Sequence, residues 1–182
     1  MTTSHQEDAA LLARAAAGDH DAFTAVMRAH EDRVFAVCLR MLGDREAALD
    51  VTQETFITAF RKAHQFQGNS AVGTWLYRIA VNNCYDWLRR HKRRRAEALP
   101  EGWDQADPAS TEEVEAAAHR HEIQVALAAL PSEYRAAVIL SDIEGMALPD
   151  VAAALGVPVG TVKSRLFRAR RILAERLGEP KG

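Results

Sequence analysis

Between Thr74 and Arg95 the chain reads TWLYRIAVNNCYDWLRRHKRRR, a segment that mixes stacking rings, an amide and cations. At 100° per residue it divides into two faces. Leu76, Ile79, Ala80, Cys84, Trp87 and Leu88 form an ordinary core stripe. Trp75, Arg78, Asn82, Tyr85, Arg89 and Arg93 fall opposite. Rings can stack on bases, an amide offers a donor and an acceptor to a base edge, and arginines hold phosphates. Together these are the ingredients for gripping single-stranded nucleic acid. A helix that is merely solvated rarely carries Trp and Tyr among its arginines.

A second candidate lies near the C-terminus, LPDVAAALGVPVGTVKSRLFRARRIL from Leu148 to Leu173. Pro149 suits the first turn of a short helix, and Gly156 suits a tight turn after it. Ala152 and Ala153 are small enough for a close helix crossing. A second helix begins at Pro158 or Val159, with Val162, Leu166 and Ala169 at i, i+4 and i+7 facing inward. Lys163, Ser164, Phe167, Arg168 and Arg171 are left outside. That is the pattern of a helix-turn-helix, whose second helix enters the major groove. An exposed basic helix closing a small bundle would show the same composition.

The elements that must position these residues all read as helices. Asp19 is an N-cap before Phe23, Val26, His30, Val34, Val37 and Met41, and Gly43 is the stop. Asp44 caps a further helix carrying Ala48, Val51, Thr55, Phe56, Ala59 and Phe60. Ile123, Leu127 and Leu130 mark a helix ending before Pro131, and Tyr134, Val138 and Ile139 mark another, closed near Gly145. No alternating strand pattern of useful length and no internal repeat occurs. The expected fold is all-α, with two small helical domains joined by a flexible acidic linker. The second is a helix-turn-helix, winged-helix-like DNA-binding domain.

Net charge is −2 over 182 residues, which by itself argues against nucleic acid. The distribution argues the other way. Arg78, Arg89, Arg90, Lys92, Arg93, Arg94 and Arg95 face only Asp86 in the first block, and Lys163, Arg165, Arg168, Arg170, Arg171 and Arg176 face only Glu175 in the second. Between them Glu97, Glu101, Asp104, Asp107, Glu112, Glu113 and Glu115 occur with Pro100, Gly102, Pro108 and a lone aromatic residue, Trp103. Low hydrophobicity with one sign of charge marks a linker. The boundaries expected are 1–95, 96–118 and 119–182.

Several classes are excluded or disfavoured. The apolar runs are too short for a bilayer span, and MTTSHQEDAA lacks the pattern of a signal peptide, so a cytoplasmic location is expected. Cys38 and Cys84 sit at apolar helix positions in no metal-ligand spacing, the usual place of small buried hydrophobes. His119 and His121 point to different helix faces with no Cys nearby. Neither a phosphate-binding loop of the Gly-x-x-x-x-Gly-Lys-Ser/Thr kind nor a dinucleotide loop is present. No enzyme activity, no metal, no cofactor and no small-molecule substrate is expected.

DVTQETF (Asp50 to Phe56), FQGNSAVGTWLYRIAVN (Phe66 to Asn82), DWLRR (Asp86 to Arg90) and GVPVGTVKSRLFRAR (Gly156 to Arg170) together resemble the extracytoplasmic-function class of bacterial RNA polymerase sigma factors. The resemblance spans nearly all of the chain outside the first residues and the linker. It implies a promoter-recognition subunit whose first domain binds core polymerase and reads and melts the −10 element, and whose second reads the −35 element. By resemblance, Asn82 helps hold a flipped-out −10 base, and the loop from Phe66 to Gly73, with Asn69 and Ser70, sets the base preference. Trp75 and Tyr77 match the family's aromatics after that loop, for base contact or for packing the loop on the helix. Arg78, Arg89, Arg90 and Lys92 would hold phosphates, which positions DNA without reading it.

The same resemblance gives the helix from Asp44 to Lys62 the contact with the clamp helices of the polymerase's largest subunit, through Asp50, Gln53 and Glu54. Lys163, Ser164, Phe167 and Arg168 match base-facing positions at −35, while Thr161, Arg165 and Arg171 suit phosphates. The implied partners are core RNA polymerase, promoter DNA (duplex at −35, single-stranded at −10) and an anti-sigma protein. Two other readings stay open on the residues alone. One is a free-standing helix-turn-helix repressor that dimerises through its first bundle, which would need palindromic sites. The other is an interaction module that titrates a regulator without supporting transcription.

Overall fold

In the computed structural model the chain is described over residues 2–97 and 121–177. Residues 98–120, with nearly all of the acidic connector, Trp103 and His119, lie outside the described residues. The described part is helical throughout and contains no strand. The helices are α1 (Thr2–Ala16), α2 (His20–Leu42), α3 (Arg45–Lys62), α4 (Val72–Glu97), α5 (residues 121–128), α6 (Ser132–Val138), α7 (Leu148–Leu155) and α8 (Val159–Leu177).

The first bundle is set by its caps. Asp19 accepts from the Ala22 amide at 3.0 Å and starts α2. Gly43 ends it in the left-handed region at φ 76, where a side chain would be strained. Asp44 follows at once, accepts from the Ala47 amide at 2.8 Å and starts α3, so two residues turn the chain back. Val26, Val34, Val37 and Met41 of α2 meet Ala48, Val51, Phe56 and Ala59 of α3 and Leu76, Ala80 and Cys84 of α4 in the core. His30 is held at the edge of that stripe by Asp8 of α1, 2.9 Å away. Phe60 is 39% exposed and meets the rings of Phe23 and His20, with centroids 5.0 and 5.4 Å away.

The second bundle is α5 to α8. Leu127 and Leu130 are buried ahead of Pro131, whereas Ile123 is exposed. The helix through Tyr134 does not run smoothly to Gly145. It widens into a π turn over Ile139–Ile143, closed by the Glu144 amide on the Ile139 carbonyl at 2.9 Å. Gly156 is left-handed at φ 65, and the amide of Val157 returns to the Ala152 carbonyl at 3.1 Å, a Schellman ending for α7. Val159 begins α8, and Val162, Leu166 and Ala169 are buried as their spacing requires. The small residues at the α7 crossing are Ala152 and Ala154; Ala153 faces water, one step of 100° away.

The two bundles touch. Helix α7 packs on α4, and α6 with the π turn packs on the end of α2.

Candidate nucleic-acid interface

Helix α4 presents Arg78, Asn82, Arg89, Arg90 and Lys92 to solvent. Neighbouring amides take opposite parts. The Asn83 Nδ2 donates to Thr55 Oγ1 of α3 at 3.3 Å, and the Thr55 hydroxyl donates to the Val51 carbonyl at 2.7 Å. Asn83 therefore ties α4 to α3, while Asn82 stands exposed. Arg89 pairs with Asp86 one turn back, and Arg90 Nε reaches the Asp86 carbonyl at 3.3 Å.

The preceding loop is pinned to the helix by its aromatic pair. Phe66 and Trp75 meet edge to face, centroids 5.5 Å apart, and both are half-buried against the core. Trp75 thus serves to seat the loop, although part of its ring remains open. Gly68 takes φ 71, Asn69 is exposed and donates to Gln67 Oε1 at 3.2 Å, and Ser70 is half-buried. Gly73 lies beside the His30 ring, which leaves about one van der Waals contact for a Cβ.

Two tyrosines of α4 are turned toward the second bundle. Tyr77 is 7% exposed, and its hydroxyl donates to Glu144 Oε2 of the second bundle at 3.3 Å. Burial first, and the Glu144 carboxylate second, push its pKa up to about 12. Tyr85 is half-buried with a buried hydroxyl that has no hydrogen-bond partner among the described residues. Burial raises its pKa to about 12, against the opposing pull of Arg165. Tyr85 is therefore no stacking ring of the basic face; the second bundle covers it. The face that remains is Arg78, Asn82 and the arginines beyond.

On α8, Lys163, Ser164, Phe167, Arg168 and Arg171 are exposed, Phe167 by 71%. Arg168 donates to the Tyr134 hydroxyl at 3.1 Å, which orients its guanidinium from a neighbouring helix. Ser164 Oγ donates to the Thr161 carbonyl at 2.9 Å and keeps its lone pairs outward. Thr161 and Arg165 are half-buried, and Arg165 sits near Tyr85. Arg171 approaches Glu175 at 3.8 Å. Arg170 grips Asp142 with two nitrogens at 3.0 and 2.7 Å, which bolts α8 to the π turn. Tyr134 and Asp142 were invisible as site residues, because nothing local in sequence pairs them with α8.

Asp50, Gln53 and Glu54 are exposed on α3. Asp50 and Glu54 share a groove of about 810 Å³ with Arg89, Arg90 and the stacked pair Trp87 and His91. On the other side, Gln53 borders an apolar groove with Leu49, Ile57 and Phe60, which are 50%, 39% and 39% exposed. Sequence reading missed that strip, though Leu49, Ile57 and Phe60 recur at helical spacing on the face away from Val51. The residues expected at −10 gather on α4 and its loop, and those expected at −35 on α8. Among the described residues, no His, Cys, Asp and Glu cluster could hold a metal, and no helix is long and apolar enough to cross a membrane.

Residues 26–94 match the family profile described as Sigma-70 region 2, and residues 120–173 match that described as Sigma-70, region 4. The chain is 42% identical over 158 residues to the ECF RNA polymerase sigma factor SigE of Mycolicibacterium smegmatis, covering 85% of this chain and 61% of that protein. It is 41% identical over 173 residues to the ECF RNA polymerase sigma factor SigM of Mycobacterium tuberculosis, covering 95% and 86%. Its fold superposes with TM-score 0.73 on the sigma factor RpoE of Bartonella quintana, solved with the anti-sigma factor NepR, at 26% identity over 87% of this chain and 98% of that one.

Proposed function

The chain belongs to the extracytoplasmic-function RNA polymerase sigma factors, and we infer that it binds core RNA polymerase and directs it to promoters by reading −10 and −35 elements. The observation that carries this is the pairing, within one such chain, of a basic face around an unengaged Asn82 with a second basic helix face around Phe167 and Arg168.

We assign residues 1–95 to core binding and the −10 element, 96–118 to a linker and 119–182 to the −35 element. A melted −10 strand would lie along Arg78, Asn82 and the Phe66–Ser70 loop. Asn82 would pair with a flipped base, and Arg89, Arg90 and Lys92 would hold phosphates. Trp75 would give its open edge to that strand. Duplex at −35 would meet Lys163, Ser164, Phe167 and Arg168 at base edges and Thr161, Arg165 and Arg171 at phosphates. An exposed apolar strip rimmed by polar groups marks a protein contact. Leu49, Ile57 and Phe60 therefore join Asp50, Gln53 and Glu54 as the face for the polymerase clamp helices.

The chain would act inside the cell with polymerase, as a regulatory subunit without catalysis of its own, and an anti-sigma protein would hold it until needed. The test is transcription with purified core polymerase, this chain and a library of promoter fragments. A specific start site preceded by permanganate-reactive thymines is expected. A palindromic footprint without polymerase would favour the repressor. Tight binding to core without any transcript would favour the titrating module.

A further inference from the structure

The loop that starts at Phe66 stands on two stems, the short turn of helix Ala63–Gln65 before it and the first turn of α4 after it. Helix α1 packs on that short turn and on α4. Leu12 of α1, Ala63 of the first stem and Val72 of the second are all buried in one core. Between the stems the loop has little to direct it. Gly68 is left-handed at φ 71, and Gln67 and Asn69 are exposed. A glycine there leaves the backbone free to take several courses, so the stems must choose among them.

The second stem is met by a ring from another helix. A Cβ at Gly73 would stand 3.5 Å from Cε1 and 3.6 Å from Nδ1 of His30, so that edge of the imidazole lies on the bare backbone of α4. The opposite nitrogen, Nε2, is 2.9 Å from Asp8 Oδ2 of α1. A carboxylate only accepts, so Nε2 carries the proton and donates it. Left alone, an imidazole turns in a broad, roughly two-fold torsional well. The bond to Asp8 selects one orientation, and in that orientation the far edge of the ring rests on Gly73. The two side chains are 16% and 14% exposed, so water and salt screen the bond weakly.

A chain of contacts thus runs from α1 through Asp8 and His30 to the point where the loop joins α4. Neither residue belongs to the sets assigned to DNA or to polymerase. Asp8 also lies ahead of residues 26–94, the part that matches the region 2 profile, while His30 lies within it.

We propose that Asp8 and His30 are positioning residues for the −10 element: their pair sets where the loop enters α4, and thereby which base the loop prefers. The bearing on bases rests on the sigma-factor reading, whereas the seating of the loop rests on the contacts alone. The test uses the full chain with core polymerase and a promoter library randomised over the −10 element. Base preference is read by sequencing the open complexes. In parallel, the backbone amide signals of Gly68 to Gly73 are followed by nuclear magnetic resonance in the full chain free of polymerase.

Asp8→Ala and His30→Ala should each shrink the preference for the best −10 base over the next by roughly fivefold, within what one hydrogen bond supplies. Asp8→Asn keeps an acceptor for the Nε2 proton and should stay within about twofold of the parent. His30→Gln keeps a donor for Asp8 but puts no ring on Gly73. Its helical circular dichroism should match the parent while the preference relaxes, which separates seating the loop from holding the bundle. The loop amides should shift or broaden in Asp8→Ala, His30→Ala and His30→Gln, and those of Asp50 to Phe56 should stay in place. A uniform fall in open complexes at every −10 sequence, or loop amides that do not move, overturns the proposal, because a pair that only stabilises the bundle would behave so. A parent chain that yields no promoter-specific transcript strikes the sigma-factor reading, and the loop amides then still decide whether the pair seats the loop.

Discussion

Asn82 and Asn83 are adjacent on α4, and alanine at each should separate reading from folding. Asn83→Ala removes the 3.3 Å bond to Thr55 Oγ1. The Thr55 hydroxyl keeps its own bond to the Val51 carbonyl, so the variant strands no buried donor. A neutral hydrogen bond is worth about 0.5–1.5 kcal/mol net, and the retained bond puts the cost of Asn83→Ala near 1 kcal/mol. Asn82 is exposed, so Asn82→Ala should stay within about 0.5 kcal/mol of the parent in urea unfolding. Function should reverse the order. With Asn82 absent, a flipped −10 base loses its edge contacts while the unstacking cost of a few kcal/mol remains. Permanganate reactivity at −10 should then fall by about tenfold or more, with binding to core polymerase unchanged. Asn83→Ala should open promoters nearly normally at temperatures where it is folded. Equal destabilisation by the two variants, or unchanged open-complex footprints for Asn82→Ala, would refute the assignment and make Asn82 a structural residue.

Arg168→Ala should weaken promoter binding roughly tenfold to a hundredfold and relax preference at one −35 position, as expected for an arginine that reads guanine. Tyr134→Phe, which removes only its tether, should cost a few-fold in the same titration; equal weakening across all −35 sequences would reduce Arg168 to a phosphate contact. Gln53→Ala combined with Glu54→Ala should lower affinity for core polymerase by about tenfold and leave the melting temperature alone, since both side chains are exposed. Unchanged co-purification would remove them from that interface. Stability should also decline at high pH. Tyr77 and Tyr85 have pKa values raised to about 12 from the ordinary 10, so the unfolded chain releases these protons first. Their contribution is full below about pH 10 and is lost as pH rises toward 12, which melting curves paired with tyrosinate absorbance will follow; a flat melting temperature across that window would contradict it.

What could be read from sequence was local. The caps at Asp19 and Asp44, the left-handed stops at Gly43 and Gly156, and the inward stripe Val162, Leu166 and Ala169 depend on residues within a turn or so of each other. All appear as their spacing demands. The exposure of Asn82, Phe167 and Arg168 follows from the same periodicity. The π turn was not legible, because an extra residue in a helix leaves the apolar pattern almost intact over one turn. The wheel of α4 failed at Tyr85 for a different reason. It allowed one buried arc, whereas Tyr77 and Val81, 7% and 1% exposed, widen that arc toward a second bundle.

The misses on α4 and the joint at the end of α2 share one cause. The bonds from Tyr77, Gln124, Arg135 and Arg40 link residues 67, 84, 94 and 104 positions apart. Nothing in a helical period marks such a partner. Composition does leave a trace, however. An arginine flanked by Ala136, Ala137 and Val138 is out of place in an apolar run, and a buried guanidinium must find acceptors or cost several kcal/mol. Arg135 finds three carbonyls at two helix ends that would otherwise lack partners. Arg135 thereby ties the end of α2 to the end of α5, a contact between the bundles that no helical period could mark.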